Sequence, residues 1–263
     1  MNILVCVKQV PDMAGRFSPN AAGTWYDEAA LVFRMNERDE NAVEEAVRFK
    51  EQLGGTPEVT VLSIGPGRVV ETIRKALAMG CDRGVHIDDP LASERDPWQI
   101  ASMIAGHARG CRYDIIFTGM QSDDRGSAQV GVLTAEMLCV SCVTGVVGFG
   151  WQDGAATADR ELEGGRRGMT RLKPPMLLTC QQGLNSPRYP TLPNIMKSRK
   201  KEISVLLPDE VGLGEPLSSV TGFRHHERQT AGLFLEGDVD DLAGRVATLL
   251  DAKRGIFRRG GAV

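Results

Sequence analysis

The chain has 263 residues, a formal net charge of −3 and 42% apolar residues. That suits one large domain, or a domain with an appendage, with a full core rather than a disordered chain. The charge excludes a fold that binds nucleic acid as a whole, and no apolar run approaches the ~20 residues that span a bilayer.

In chain order, the N-terminal run MNILVCVKQV reads as a buried strand over residues 3–8, too short and too poorly flanked for a signal peptide. A cytoplasmic bacterial or archaeal protein is expected. Residues 36–53 place Val43, Ala46, Val47 and Leu53 on one helical face. Strands over 59–64, 84–87 and 115–118 then alternate with helices over 69–79, 98–107 and 127–138. Such alternation predicts a parallel sheet with right-handed crossovers. From Cys142 to Thr179 the period shortens to two, with Gly154 and Gly164-Gly165 at the turns, which predicts an antiparallel β excursion. Residues 176–179 return as an apolar strand. A short strand over 203–206, a loop over 213–223, and a helix over 239–250 with a Leu242, Val246, Leu249, Leu250 stripe complete the chain.

Six cysteines lie mostly in apolar surroundings and read as small buried hydrophobes. Cys139 and Cys142 form a CxxC, but it follows a helix instead of opening one, so it lacks the helix N-terminus that activates a redox dithiol. Metal ligation has no second CxxC to support it. His225 and His226, among Arg224, Glu227 and Arg228, read as a solvated loop, and His86 and His107 have no evident partners. Trp25, Trp98 and Trp151 read as packing or interface residues. No nucleophile elbow, catalytic triad or carboxylate pair is present, so no bond-making residue is expected.

Ligands of open parallel sheets bind beyond the carboxyl ends of the strands. Those ends carry Val7-Lys8, the loop at Asn36, residues 63–67 and, richest of all, residues 118–131, TGMQSDDRGSAQVG. This last run passes from a strand through glycines and hydroxyls into a helix, where backbone N–H groups and the positive helix end favour a phosphate. Ser127 is placed to cap that helix. The run is neither a Walker loop nor GxGxxG, and as residues alone it fits a nucleotide cradle and an ordinary turn equally well.

Residues 184–201 read LNSPRYPTLPNIMKSRKK. Prolines 187, 190 and 193 forbid a helix or a central strand up to Pro193. The apolar Leu184, Tyr189, Leu192, Ile195 and Met196 precede four cations, Lys197, Arg199, Lys200 and Lys201. This fits a docking surface, or a plain connector with a solvated basic end.

These segments resemble the electron transfer flavoprotein beta subunit. The likeness is carried in order by VCVKQVPD (residues 5–12), MNxxxENAVEEA (35–46), ETIRKALAMGCDRGVHI (71–87), TGMQSDDRGSAQVG (118–131), RELEGG (160–165), PxLLT (175–179) and residues 184–201. It covers about residues 1–205.

The resemblance implies a Rossmann-like, adenine nucleotide alpha hydrolase-like α/β fold with a C-terminal arm. The implied organisation is a nucleotide-binding domain over 1–190 with its β excursion at about 143–180, a partner-recognition loop over 184–205, and an arm and helix over 206–263 packing on an alpha subunit. It implies adenine-nucleotide contacts from Cys6, Asn36, Ile64, Gly119, Gln121, Ser122, Asp124, Arg125, Gly126, Ser127, Ala128, Gln129 and Val130. The nucleotide would be AMP, held structurally, with a redox FAD shared with the alpha subunit. Ser127 to Gly131 also resemble the pattern of electron-bifurcating members, which hold a second FAD and take electrons from NADH, but Arg125 stands where that pattern has glycine and Val132 where it has proline.

Partner contacts are implied for Leu192 as an anchor, with Ile195, Met196, Lys197 and Lys200, and for Glu161 at the alpha-subunit interface. The implied partners are an acyl-CoA or similar dehydrogenase of fatty acid beta-oxidation and electron transfer flavoprotein-quinone oxidoreductase. A stand-alone ATP-binding protein of the same fold is the alternative from another class, and the absence of a Walker loop counts against it.

Overall fold

The run NILVC forms β1 (Asn2–Cys6), buried from Ile3 onward. A small antiparallel pair follows, β2 (Gln9–Pro11) and β3 (Phe33–Met35). The sequence does not announce it, because three-residue strands are too short for a periodicity. Then come α1 (Glu37–Gln52), β4 (Glu58–Gly65), α2 (Val69–Met79), β5 (Arg83–Asp88), α3 (Pro97–Cys111), β6 (Ile115–Gly119) and α4 (Val130–Leu138). Helix α3 has the clearest local code. Asp96 and Gln99 make a reciprocal capping box and Pro97 occupies the first turn, satisfying N-terminal amides that the helix cannot pair itself.

Beyond α4 the chain forms β7 (Ser141–Gln152), β8 (Ala155–Glu161), β9 (Arg167–Leu172), β10 (Met176–Cys180), α5 (Leu192–Ser198) and β11 (Ile203–Leu206). Helix α6 (Val239–Ala252) comes last, capped by the Asp238 side chain. The computed structural model describes residues 1–15, 17–222 and 232–253. The Arg224 to Arg228 segment, with both its histidines, lies outside the described residues. The chain divides into two units, residues 1–224 and 225–263. In the second, the α6 stripe residues Val246, Leu249 and Leu250 are exposed.

One nine-stranded sheet runs in the order β11-β5-β4-β1-β6-β10-β7-β8-β9. All pairs from β11 to β7 are parallel, and β8 and β9 add antiparallel. The excursion is therefore an extension of the main sheet, with β7 parallel to β10 on one side and antiparallel to β8 on the other. Alternate residues of β1 feed two cores. Ile3 and Val5 pack with Val43, Ala46 and Phe49, while Leu4 and Cys6 pack with Leu62, Ile104 and Ile116.

Two expectations are corrected. Helix α4 begins at Val130 rather than 127, because Gly126 (φ 61°) and Ala128 (φ 54°) take left-handed conformations that stop the helix from propagating backward. Its N-cap position is held by Gln129, which makes no capping hydrogen bond, so Ser127 is not the cap. The proline-rich segment also turns helical one residue before Pro193, at Leu192, because proline is tolerated in a first turn where its missing N–H would be unpaired anyway.

Candidate functional site

From β1 the chain crosses to β4 on one side, while β6 lies on the other. This is a topological switch point, where a crevice opens beyond the carboxyl ends of the strands. A cavity of about 190 Å³ occupies it, walled by Cys6, Val7 and Lys8 after β1, Leu62, Ile64 and Gly65 at the end of β4, residues 119–122 after β6, and the first turn of α4. Twelve of the thirteen residues expected at a nucleotide site line it; Gly126 belongs to the same loop but not to the lining.

The loop after β6 is held from below by α1. Asn36, 1% exposed, donates from its amide to the Gln121 carbonyl at 3.0 Å and accepts from the Asp123 N–H at 3.0 Å. Asp39 accepts from the Lys8 N–H at 2.7 Å and the Gly119 N–H at 3.0 Å, tying the ends of β1 and β6 together. Burial raises its carboxyl to about 7 despite these bonds. Gly119 is required here, because a Cβ would lie 2.1 Å from Asp39 Oδ1. Arg38 adds bonds of 2.8 Å to Asp123 and Gln181.

Charge on the cavity wall is paired. Lys8 Nζ donates to both carboxylate oxygens of Asp124, at 2.8 and 2.7 Å. Burial lowers the Lys8 amine and Asp124 opposes that shift. Across the mouth, the Arg125 guanidinium donates to the Arg95 carbonyl at 3.2 Å and to the Ser93 carbonyl. It also sits 4.7 Å above the Trp25 ring. The 89–96 loop that supplies those carbonyls is braced by the Asp89–Arg95 ion pair at 2.9 Å. The amides of α4's first turn have no side-chain cap and lie along the cavity. Gln9 Oε1, also on a lining residue, is buried without a hydrogen-bond partner. An uncapped helix N-terminus suits a phosphate, and an orphaned acceptor suits a ligand donor, so the donor set fits a nucleotide.

The proline-rich segment lies elsewhere. Thr191 caps α5 by accepting from the Asn194 N–H. Tyr189 is 96% exposed, Leu192 79% and Met196 61%, with Ile195 at 38%. Lys197, Arg199 and Lys200 are exposed. Lys201 is not part of that cluster: its ammonium turns inward to the carbonyls of Leu77 and Cys81 at the C-terminal end of α2, where a helix dipole favours a cation. Glu161, exposed, ends β8 opposite Arg167 of β9.

A family model described as an electron transfer flavoprotein domain matches residues 24–211. Three relatives share the name electron transfer flavoprotein subunit beta. The one from Homo sapiens is 38% identical, covering 92% of this chain and 96% of its own length. The one from Bacillus subtilis is 34% identical, covering 95% and 97%. The one from Methylophilus methylotrophus is 31% identical, covering 97% and 100%. The chain belongs to the electron transfer flavoprotein beta-subunit family.

The electron transfer flavoprotein domain so matched takes in the loop after β6 and residues 184–201. Several cavity residues were not singled out from the sequence. Lys8 was marked only as part of VCVKQVPD and as a strand's carboxyl end, with no role of its own. Asp39 resembles any acidic residue that favours a helix's first turn; its burial comes from β1 and β6. Trp25 sits in a loop without regular structure, and only the fold stacks it on Arg125. The histidines do have partners: His86 Nε2 lies 2.7 Å from the Gly65 carbonyl and His107 Nε2 lies 3.0 Å from the Tyr113 hydroxyl. Cys139 ends α4 and Cys142 lies on β7, both free thiols. That is the opposite helix end from the one that activates a thiol, and burial pushes Cys142 up. Among the described residues no cluster suits a metal ion, and no helix is long and apolar enough to cross a membrane.

Proposed function

We propose that this beta subunit pairs with an alpha subunit, accepts electrons from an acyl-CoA or related dehydrogenase, and passes them to a quinone oxidoreductase or another acceptor. The redox group would be an FAD held mainly by the alpha subunit, which when bound takes up and releases electrons. This chain contributes docking, cofactor support and positioning. The exposed apolar and basic surface of residues 189–200 beside a fully packed core supports the docking part. Leu192 serves as the anchor, with Ile195 and Met196 around it, while Lys197 and Lys200 steer an acidic partner. Glu161 meets the alpha subunit, which also covers the C-terminal arm.

The cavity at the switch point is proposed to hold AMP. The observation that carries this is the uncapped α4 N-terminus opening on a cavity that also holds the orphaned Gln9 acceptor. The lining residues Cys6, Asn36, Ile64, Gly119, Gln121, Ser122 and Asp124 and residues 127–130 would hold the nucleotide, its phosphate at the start of α4. Arg125 favours a mononucleotide over a second FAD, because its guanidinium is engaged by two carbonyls and by Trp25 at the mouth. The likeness of residues 127–131 to the bifurcating pattern supports the second reading, two FAD with an NADH donor. The test is the nucleotide content of the co-expressed heterodimer after denaturation and chromatography. One FAD with one AMP supports the carrier, two FAD without AMP supports bifurcation, and no nucleotide overturns both.

A further inference from the structure

An exposed apolar segment docks well only if its shape is fixed before the partner arrives, since ordering it on binding costs affinity. In residues 189–198 only Ser198 is buried, while α5 lies against α2. Side-chain hydrogen bonds fix the two ends.

At the far end, Arg74 donates to the carbonyls of Ser198 and Lys201. At the near end, Arg188 is held by two carboxylates of α1. Its Nε and Nη2 donate to the two oxygens of Glu44 at 2.9 and 3.0 Å, and its Nη1 and Nη2 donate to those of Glu51 at 2.6 and 2.9 Å. The Arg188 backbone N–H also donates to Glu44 at 3.0 Å. Three residues earlier, Asn185 and Asn41 exchange hydrogen bonds, and Asn185 also donates to Glu45 at 2.8 Å. Glu44 is 4% exposed, buried beneath the guanidinium, whereas Glu51 is exposed. A planar fork gripping two carboxylates bidentately fixes direction as well as distance, which an ammonium could not do.

We propose that Arg188, clamped by Glu44 and Glu51, is a positioning residue that holds residues 189–198 in the shape that docks the electron-donating dehydrogenase. The proposal rests on the reading that Leu192 and its neighbours dock. It assigns Arg188 no contact with the partner.

The test is steady-state turnover of the heterodimer by an acyl-CoA dehydrogenase reduced with butyryl-CoA, reading KM for the flavoprotein against kcat, with flavin content and Tm as controls. Arg188→Ala strips the buried Glu44 of its partner and endangers the fold, so Glu51→Gln is the primary variant: Glu51 is exposed and Glu44 stays paired. The expected result is a KM raised about three- to tenfold for Glu51→Gln and further for Arg188→Ala. Arg188→Lys should fall between Arg188→Ala and the unaltered protein, with kcat, flavin content and Tm for Glu51→Gln unchanged. A KM unchanged or lowered in Glu51→Gln overturns the clamp. A fall in kcat at unchanged KM overturns it as well. Leu192→Ala separates the two layers: if it raises KM while Glu51→Gln and Arg188→Ala do not, only the clamp fails. If Leu192→Ala has no effect, or the unaltered heterodimer is not turned over, the docking reading fails and the clamp with it.

Discussion

The cavity at the switch point and the segment over 189–198 invert each other's chemistry. In the cavity, polar groups are inside: Asn36, Asp39 and the Asp124 carboxylate are almost wholly withdrawn from water, each with hydrogen-bond partners. In the segment, apolar groups are outside, with Leu192 and Met196 mostly in solvent. Both arrangements work against ordinary burial, and both are held by α1. Its N-cap Asn36 and first-turn Asp39 grip the cavity loop, and its middle grips Asn185 and Arg188, just ahead of the segment, through Asn41, Glu44 and Glu45. The comparison teaches that the costs differ. A buried polar site draws on fold stability whenever a partner is lost, whereas an exposed apolar site draws on it hardly at all and reveals itself only in binding.

The largest break in that comparison is expected from pH. Asp39 has a folded pKa of about 7 against 3.8 for the free side chain. The folded state therefore keeps a proton that the unfolded chain releases, and stability falls as pH rises from about 4 to about 7. The difference is on the order of 4 kcal/mol. Denaturant midpoints across pH 4.5–8 should show this falling limb, and Asp39→Asn should flatten it; an unchanged limb would refute the assignment.

Next comes Asn36→Ala, which leaves the Gln121 carbonyl and the Asp123 N–H unpaired. A loss of about 3 kcal/mol is expected, read as a lower Tm together with loss of co-purifying nucleotide. Retained nucleotide at lowered Tm would show that the loop keeps its shape without Asn36. The opposite pattern is expected at the segment. Leu192→Ala should leave Tm unchanged and weaken docking by about 2 kcal/mol, roughly a 30-fold rise in KM for the dehydrogenase. A fall in Tm of several degrees would mean that Leu192 packs inward. The smallest effect is electrostatic. Replacing Lys197 and Lys200 with alanine should slow association about two- to fivefold at low salt and not at high salt, measured by stopped flow at two ionic strengths. Lys201→Ala should instead lower Tm, since that ammonium caps α2.

The alternation from β1 to α4 was legible because helices of more than two turns and buried parallel strands write long periods into the chain. Val69–Met79 matches its expected bounds for that reason, ending where Gly80 turns left-handed (φ 139°). The pair β2 and β3 was illegible because three residues carry no period, and the true start of α4 because Ala128 gives no local sign of a left-handed backbone.

By itself the sequence determined the alternation of the longer elements, the richness of residues 118–131 and the apolar-then-basic character of residues 184–201. These are local properties, written in side-chain pattern and in proline and glycine. Only the tertiary structure decided that Lys8 meets Asp124 across 116 residues, that Asp39 is buried, that Arg125 covers Trp25, and that Lys201 leaves the basic cluster to cap a helix. Each of these depends on which strand ends lie side by side. That is fixed by packing among distant segments, where desolvation and hydrogen-bond pairing set a side chain's role regardless of its neighbours in sequence.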